Sequence, residues 1–306
     1  MIGTRVCALL LLGASAVVAG CSHDTDGELV TPTAVAGLRY VNLVPDTIGL
    51  DFRVIDIIGD APNTFNATFR TGGQPHGVAI SGLPPHTAVL AGTRQIRVFL
   101  SSSNVNVASQ ILLDQSFTFD ANQNYTLYLW GYANPANGTP GLAALMVNDA
   151  VPAVDTGSVA FRVIHLAGSL APTLAAPAVD VMFDTLAAAA APVPGASTSF
   201  QASFTNVQPN EVRPYQLVRR RLTPSILNYR AAVSATATPA ALAFQADVPN
   251  GSVATPTANP VAGDRTSGSA ITAIIVPASV AGTGATAFAT PTVLFIVDQR
   301  PPRTLP

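Results

Sequence analysis

Tyr125-Thr126-Leu127-Tyr128-Leu129-Trp130 decides the fold class. Tyr125, Leu127 and Leu129 share one face of this stretch, and Thr126, Tyr128 and Trp130 share the other, the period-two spacing of a β-strand. The turn-forming run Asp120-Ala121-Asn122-Gln123-Asn124 precedes it. If the first set fills a core, Tyr128 and Trp130 lie outward or under a loop. With Tyr132 they are the candidate ligand-contact aromatics, rings suited to stacking on a sugar. Tyr125 has the placement of a tyrosine corner, whose hydroxyl ties the chain back to a neighbouring turn.

The same alternation recurs outward from this strand. Leu38–Leu43, Leu50–Ile55, Arg94–Leu100 and Ser116–Phe119 are further candidates, with Gly, Pro and Asn breaking the pattern about every ten residues. Leu186–Ala191 is Ala-rich but stops at Pro192-Val193-Pro194, so it reads as a loop insertion. The expectation is an all-β chain of two tandem immunoglobulin-like antiparallel β-sandwich domains.

Two domains follow from an internal repeat. Gly37-Leu38-Arg39-Tyr40-Val41-Asn42-Leu43 parallels Val159-Ala160-Phe161-Arg162-Val163-Ile164-His165-Leu166 around Arg39 and Arg162. Leu50-Asp51-Phe52-Arg53-Val54 parallels Val179-Asp180-Val181-Met182-Phe183. Leu145-Met146-Val147-Asn148 before Pro152 parallels Phe295-Ile296-Val297-Asp298 before Pro302. The copies are placed at 37–152 and 157–303, joined by the linker 153–156.

Phe161-Arg162-Val163-Ile164-His165, followed after a short loop by Pro177-Ala178-Val179-Asp180-Val181, resembles the opening of the bacterial family known as domain of unknown function 4397. The resemblance implies a secreted or surface-attached location, tandem copies and an aromatic-rich strand such as Asn124-Tyr125-Thr126-Leu127. It implies no activity. The first copy departs from it with Asn42 where the second has His165, and the second copy has no tyrosine matching Tyr125.

The N-terminal segment reads as a lipoprotein leader. Arg5 supplies a positive charge, an apolar core runs from Val6 to about Val18, and Val18-Ala19-Gly20-Cys21 forms a lipobox. The core is interrupted by Gly13 and Ser15 and is too short to span a bilayer. Residues 1–20 are expected to be the signal peptide, with signal peptidase II cutting between Gly20 and Cys21. Cys21 would carry the acyl chains that attach the protein to a membrane. Resemblance to Gram-negative lipoproteins implies that Ser22, in place of Asp, directs the product to the outer membrane. Residues 21–36, polar and then Thr/Pro/Ala-containing, are expected to be the acylated cysteine and a flexible tether.

Charged residues make up 10% of the 306-residue chain, against roughly 25% in ordinary soluble domains. A formal net charge of −2 argues against nucleic acid, which needs a basic stripe. Arg219-Arg220-Arg221 is the exception and reads as a solvated strand edge. Processing removes Cys7 and acylation consumes Cys21, so the mature chain is expected to form no disulfide.

Catalytic, metal and cofactor motifs are not evident. His23, His76 and His86 lie in the tether or in Gly/Pro-rich loops without zinc spacing, and His165 reads as a satisfied histidine at the core edge. Gly282-Thr283-Gly284-Ala285-Thr286-Ala287 lacks the βαβ context of a dinucleotide loop. Asp51 with Asp56 could serve as paired acids only if the fold brought them together, and Asp46, Asp51, Asp180 and Asp184 lack the dense spacing of a calcium loop. The expectation is a non-enzymatic, lipid-anchored envelope protein acting in surface interaction, adhesion or architecture. Its expected partner is a protein or a carbohydrate surface; a carbohydrate- or envelope-polymer-binding protein is the alternative, and a hydrolase with residues on the sandwich-end loops is the lesser one.

Overall fold

A computed structural model describes residues 33–47, 49–54, 86–171, 173–175, 177–185, 202–219, 229–235, 242–252, 261–285 and 288–299. Among the described residues, seven strands build a first sandwich: β1 (Val35–Asn42), β2 (Leu50–Val54), β3 (Thr87–Leu90), β4 (Gly92–Leu100), β5 (Ile111–Phe119), β6 (Asn124–Trp130) and β7 (Ala143–Asn148). One short helix, α1 (Val105–Ala108), joins β4 to β5. The Asn104 side chain caps it by accepting from the Asn106 N–H at 3.0 Å.

Nine strands among the described residues build a second sandwich: β8 (Ser158–His165), β9 (Val179–Thr185), β10 (Ala202–Val207), β11 (Glu211–Val212), β12 (Gln216–Arg219), β13 (Tyr229–Ala235), β14 (Leu242–Asp247), β15 (Ala270–Val276) and β16 (Thr292–Gln299). The all-β expectation holds.

Each sandwich has a front and a back sheet. The front sheets run β3-β1-β6-β7 and β11-β8-β15-β16, with β12 also on β8. The back sheets run β2-β4-β5 and β10-β9-β13-β14. The strand orders correspond once β12 is set against β3, and β10 and β11 have no counterpart among the described residues. Antiparallel pairing, as expected, joins all these strands except at the centre of each front sheet. There β1 runs parallel to β6 and β8 parallel to β15.

Alternation explains both cores. Leu38 and Tyr40 of β1 and Tyr125, Leu127 and Leu129 of β6 pack on Phe52, Ile96, Val98 and Phe119 from the back sheet. Phe161 and Val163 of β8 and Ile271, Ala273 and Ile275 of β15 do the same against Val181, Phe183 and Val233. The Tyr125 hydroxyl donates to the Asp120 carboxylate and accepts from its backbone N–H, both at 3.1 Å, the tie expected of a tyrosine corner.

The opposite faces of the front sheets are covered as well. A third buried cluster joins Val41, Leu43, Tyr128, Trp130 and Val147 of the first sandwich to Ile164, Leu166, Ile274, Val276 and Ile296 of the second. Residues 35–306 therefore form one compact unit, four β layers deep, with the front sheets meeting at a central seam. Two loop contacts reinforce it. The Val280 N–H donates to the Pro45 carbonyl at 2.8 Å, and Gly168 lies so close to Thr139 and Pro140 that a Cβ there would come within 2.4 Å of the Thr139 oxygen.

The departure at Asn42 and His165 is chemically conservative. Asn42 Oδ1 accepts from the Val44 N–H at 3.0 Å, and His165 Nδ1 accepts from the Ala167 N–H at 3.2 Å. Both side chains close the end of the first front-sheet strand. His165 Nε2 then donates to the Pro177 carbonyl at 2.7 Å, and burial pushes the imidazole pKa down, which favours this neutral tautomer.

Candidate functional site

Arg39 and Arg162, the anchors of the sequence repeat, meet across the seam. Arg39 is opposite Thr126 in the β1·β6 register, and Arg162 is opposite Thr272 in the β8·β15 register. Thr126 pairs with Val147 and Thr272 with Ile296, so Asp149 and Asp298 each stand two residues farther on. This corrects the sequence alignment by one residue: Asp149, not Asn148, corresponds to Asp298. A one-residue slip moves a side chain to the other face of a sheet, which is why Asn148 is exposed and Asp149 is not.

The contacts form a near two-fold pattern. Arg39 Nε donates to Thr126 Oγ1 at 2.7 Å, and the threonine donates to Asp149 Oδ2 at 2.6 Å. Arg162 Nε donates to Thr272 Oγ1 at 2.5 Å, and that threonine donates to Asp298 Oδ2. Each arginine then crosses the seam, Arg39 Nη2 to Asp298 Oδ1 at 3.1 Å and Arg162 Nη2 to Asp149 Oδ1 at 3.3 Å. The same Nη2 atoms lie 3.5 Å from Asp149 and 3.4 Å from Asp298 on their own sides. All four side chains are at most 8% exposed.

The outer partners differ between the copies. His86, just before β3, donates Nε2–H to Asp149 Oδ2 at 2.8 Å. Tyr215, just before β12, donates its hydroxyl to Asp298 Oδ2 at 2.8 Å and lays its ring 4.7 Å from the Arg162 guanidinium carbon. The Asp149 carboxyl is held below the usual range. Burial opposes that shift, but the His86 and Thr126 hydrogen bonds and the two arginines outweigh it. Burial pushes the Asp298 carboxyl up, against the pull of Arg162, Thr272 and Tyr215.

The candidate aromatics are in the wrong place for a stacking platform. Tyr128 and Trp130 lie in the seam, and Tyr132 is buried against the turn around Gly138. The face expected to look outward is covered by the second sandwich, so Tyr128 and Trp130 present no exposed ring to a sugar. The Tyr128 hydroxyl is fully buried and makes no hydrogen bond among the described residues. Burial pushes its pKa up, and the two aspartates add to the shift. Tyr128→Phe is expected to stabilise the fold by about 1–2 kcal/mol, because it removes a desolvated group with no partner. Chemical denaturation of the two proteins measures this.

The other candidates resolve simply. Asp46 accepts from the Ala133 and Asn134 N–H groups at 2.9 Å and from Asn137 Nδ2 at 3.0 Å, and Asp180 accepts from the Asn206 N–H at 2.7 Å. Among the described residues no three His, Cys, Asp or Glu side chains converge as metal ligands. Gly20, Cys21, His23, Asp56, His76, Arg220, Arg221 and Leu186–Ala191 lie outside the described residues, as does the Asp184 side chain.

Beside the charge cluster, an open cleft of about 770 Å³ is formed jointly by the end of β7 with residues 150–152 and by Arg162 with residues 212–215. Its walls are largely apolar, and it falls in the size range of small-ligand sites.

Fold and site together define a duplicated β-sandwich protein whose halves are clasped by a buried, pseudo-symmetric set of arginines and aspartates. Residues 36–182 match the model of the family described as Domain of unknown function (DUF4397), and the chain resembles that family over this stretch. The match covers the first sandwich, β8 and the first four residues of β9, and includes Arg39, Asp149 and Arg162. No curated protein matches the chain.

Proposed function

We propose that the chain is a lipid-anchored envelope protein of non-enzymatic type, acting in surface interaction or envelope architecture. Cys21 carries the acyl chains in the outer membrane, residues 22–34 form the tether, which ends where β1 takes Val35 and Ala36 into the first sandwich, and the clasped sandwiches form the head. The observation that supports this reading is how the buried charges are used. Each oxygen of Asp298 already accepts two donors, Arg39 and Arg162 on one and Thr272 and Tyr215 on the other. Asp149 is likewise committed to Thr126, His86 and Arg162. Carboxylates saturated in this way serve to join the halves, whereas a general base needs an oxygen within reach of a substrate proton.

Two or three acyl chains on one residue hold a protein to a bilayer, at about 0.8 kcal/mol per buried methylene. Intact mass and membrane fractionation of the wild type beside Cys21→Ser test the anchor. The expected result is an acylated N-terminal cysteine in the outer membrane, and an unmodified, soluble product for the variant. A wild-type protein that is unmodified and soluble would overturn the proposal.

A further inference from the structure

We infer that the cleft at the edge of the seam binds a carboxylate-headed apolar chain, as in a fatty acid. Among the described residues that line it, two are charged, Arg162 and Arg213, and none is an acid. Both guanidiniums have donors to spare. Arg162 spends Nε and Nη2 on Thr272 and the two aspartates, while Nη1 has one long contact, 3.4 Å to the Asn148 carbonyl oxygen. Its side chain is 4% exposed and fixed from behind, so that donor is pre-oriented.

Arg213 is held by Nη2, which donates to the Thr205 and Asn206 carbonyls at 3.0 Å each. Its Nε is buried 3.0 Å from Glu211 Oε1, which leaves Nη1 as the donor with no partner among the described residues. Glu211 balances the charge of Arg213, and the aspartates balance that of Arg162. The cleft therefore offers oriented, charge-assisted N–H donors without a large net charge, which suits a single carboxylate. Met146, Val151, Pro152, Val212 and Pro214 supply the apolar wall for a chain behind the head. Val212, 37% exposed, is a large apolar side chain left to solvent there.

Isothermal titration of the full-length Cys21→Ser chain with laurate, and with dodecanol as the head-group control, tests this. Laurate is expected to bind saturably and at least tenfold more tightly than dodecanol. Arg213→Gln should remove most of that preference, whereas Arg213→Lys should retain part of it. Val151→Asp, which sets a carboxylate into the apolar wall, should weaken laurate tenfold or more. Melting curves confirm that each variant is folded, and Val151→Asp and Arg213→Gln test the site independently. No saturable laurate binding, or binding equal to dodecanol and indifferent to Arg213→Gln and Val151→Asp, would overturn the inference.

Discussion

Asp298→Ala is expected to destabilise the folded chain by about 3–5 kcal/mol, because it leaves Arg39 and Arg162 buried with one carboxylate between them. The Tyr215 and Thr272 hydroxyls lose their acceptor in the same step. In a chain of this size, each kcal/mol corresponds to roughly 2–4 °C of melting temperature, so thermal denaturation reads the loss directly. Asp114→Ala is the control. It breaks the Arg97–Asp114 pair on the exposed face of the first back sheet, where both side chains are about one-third exposed, and should leave the midpoint almost unchanged. A comparable small effect for both variants would mean that the cluster is solvated and that the seam is not held by charge. Replacing all four seam charges with apolar residues of similar volume is a different experiment. It removes the desolvation cost together with the attraction and can leave stability intact.

Trp130→Ala is the second large effect, expected at about 3–5 kcal/mol for removing a buried indole from a packed cluster. Far-UV circular dichroism measures it, since the variant loses the sole tryptophan of the chain. In the wild type that same residue is a reporter placed in the seam, and its emission should be blue-shifted and should move red as the sandwiches part. An exposed stacking ring would behave differently, with a stability change within about 0.5 kcal/mol. That outcome would restore Tyr128, Trp130 and Tyr132 as surface aromatics.

Strand identity was legible because alternation is a local property. Tyr125, Leu127 and Leu129 fill the first core as their spacing requires, and the repeat placed Arg39 against Arg162 correctly. What alternation could not show is the fate of the second face. Thr126, Tyr128 and Trp130 read as outward because a strand with one buried face normally shows the other to water. The available signal was Arg39 and Arg162, single charges at matching places in otherwise apolar strands. They anchored the alignment without being recognised as each other's neighbours. Asp149 was misaligned because its equivalence to Asp298 rests on hydrogen-bonded register with β6 and β15, which no local pattern encodes.

The sequence by itself determined the class of secondary structure, the duplication, and the satisfied roles of Tyr125 and His165, since each depends on residues near in the chain or on a repeated pattern. The tertiary structure alone decided that the two copies face one another, that four charges far apart in sequence neutralise one another at the seam, and that a cleft opens beside them. Those features arise from docking one front sheet on another. Buried charge is tolerated only where opposite charge and hydrogen bonds converge from both sides, and that convergence belongs to the assembled fold.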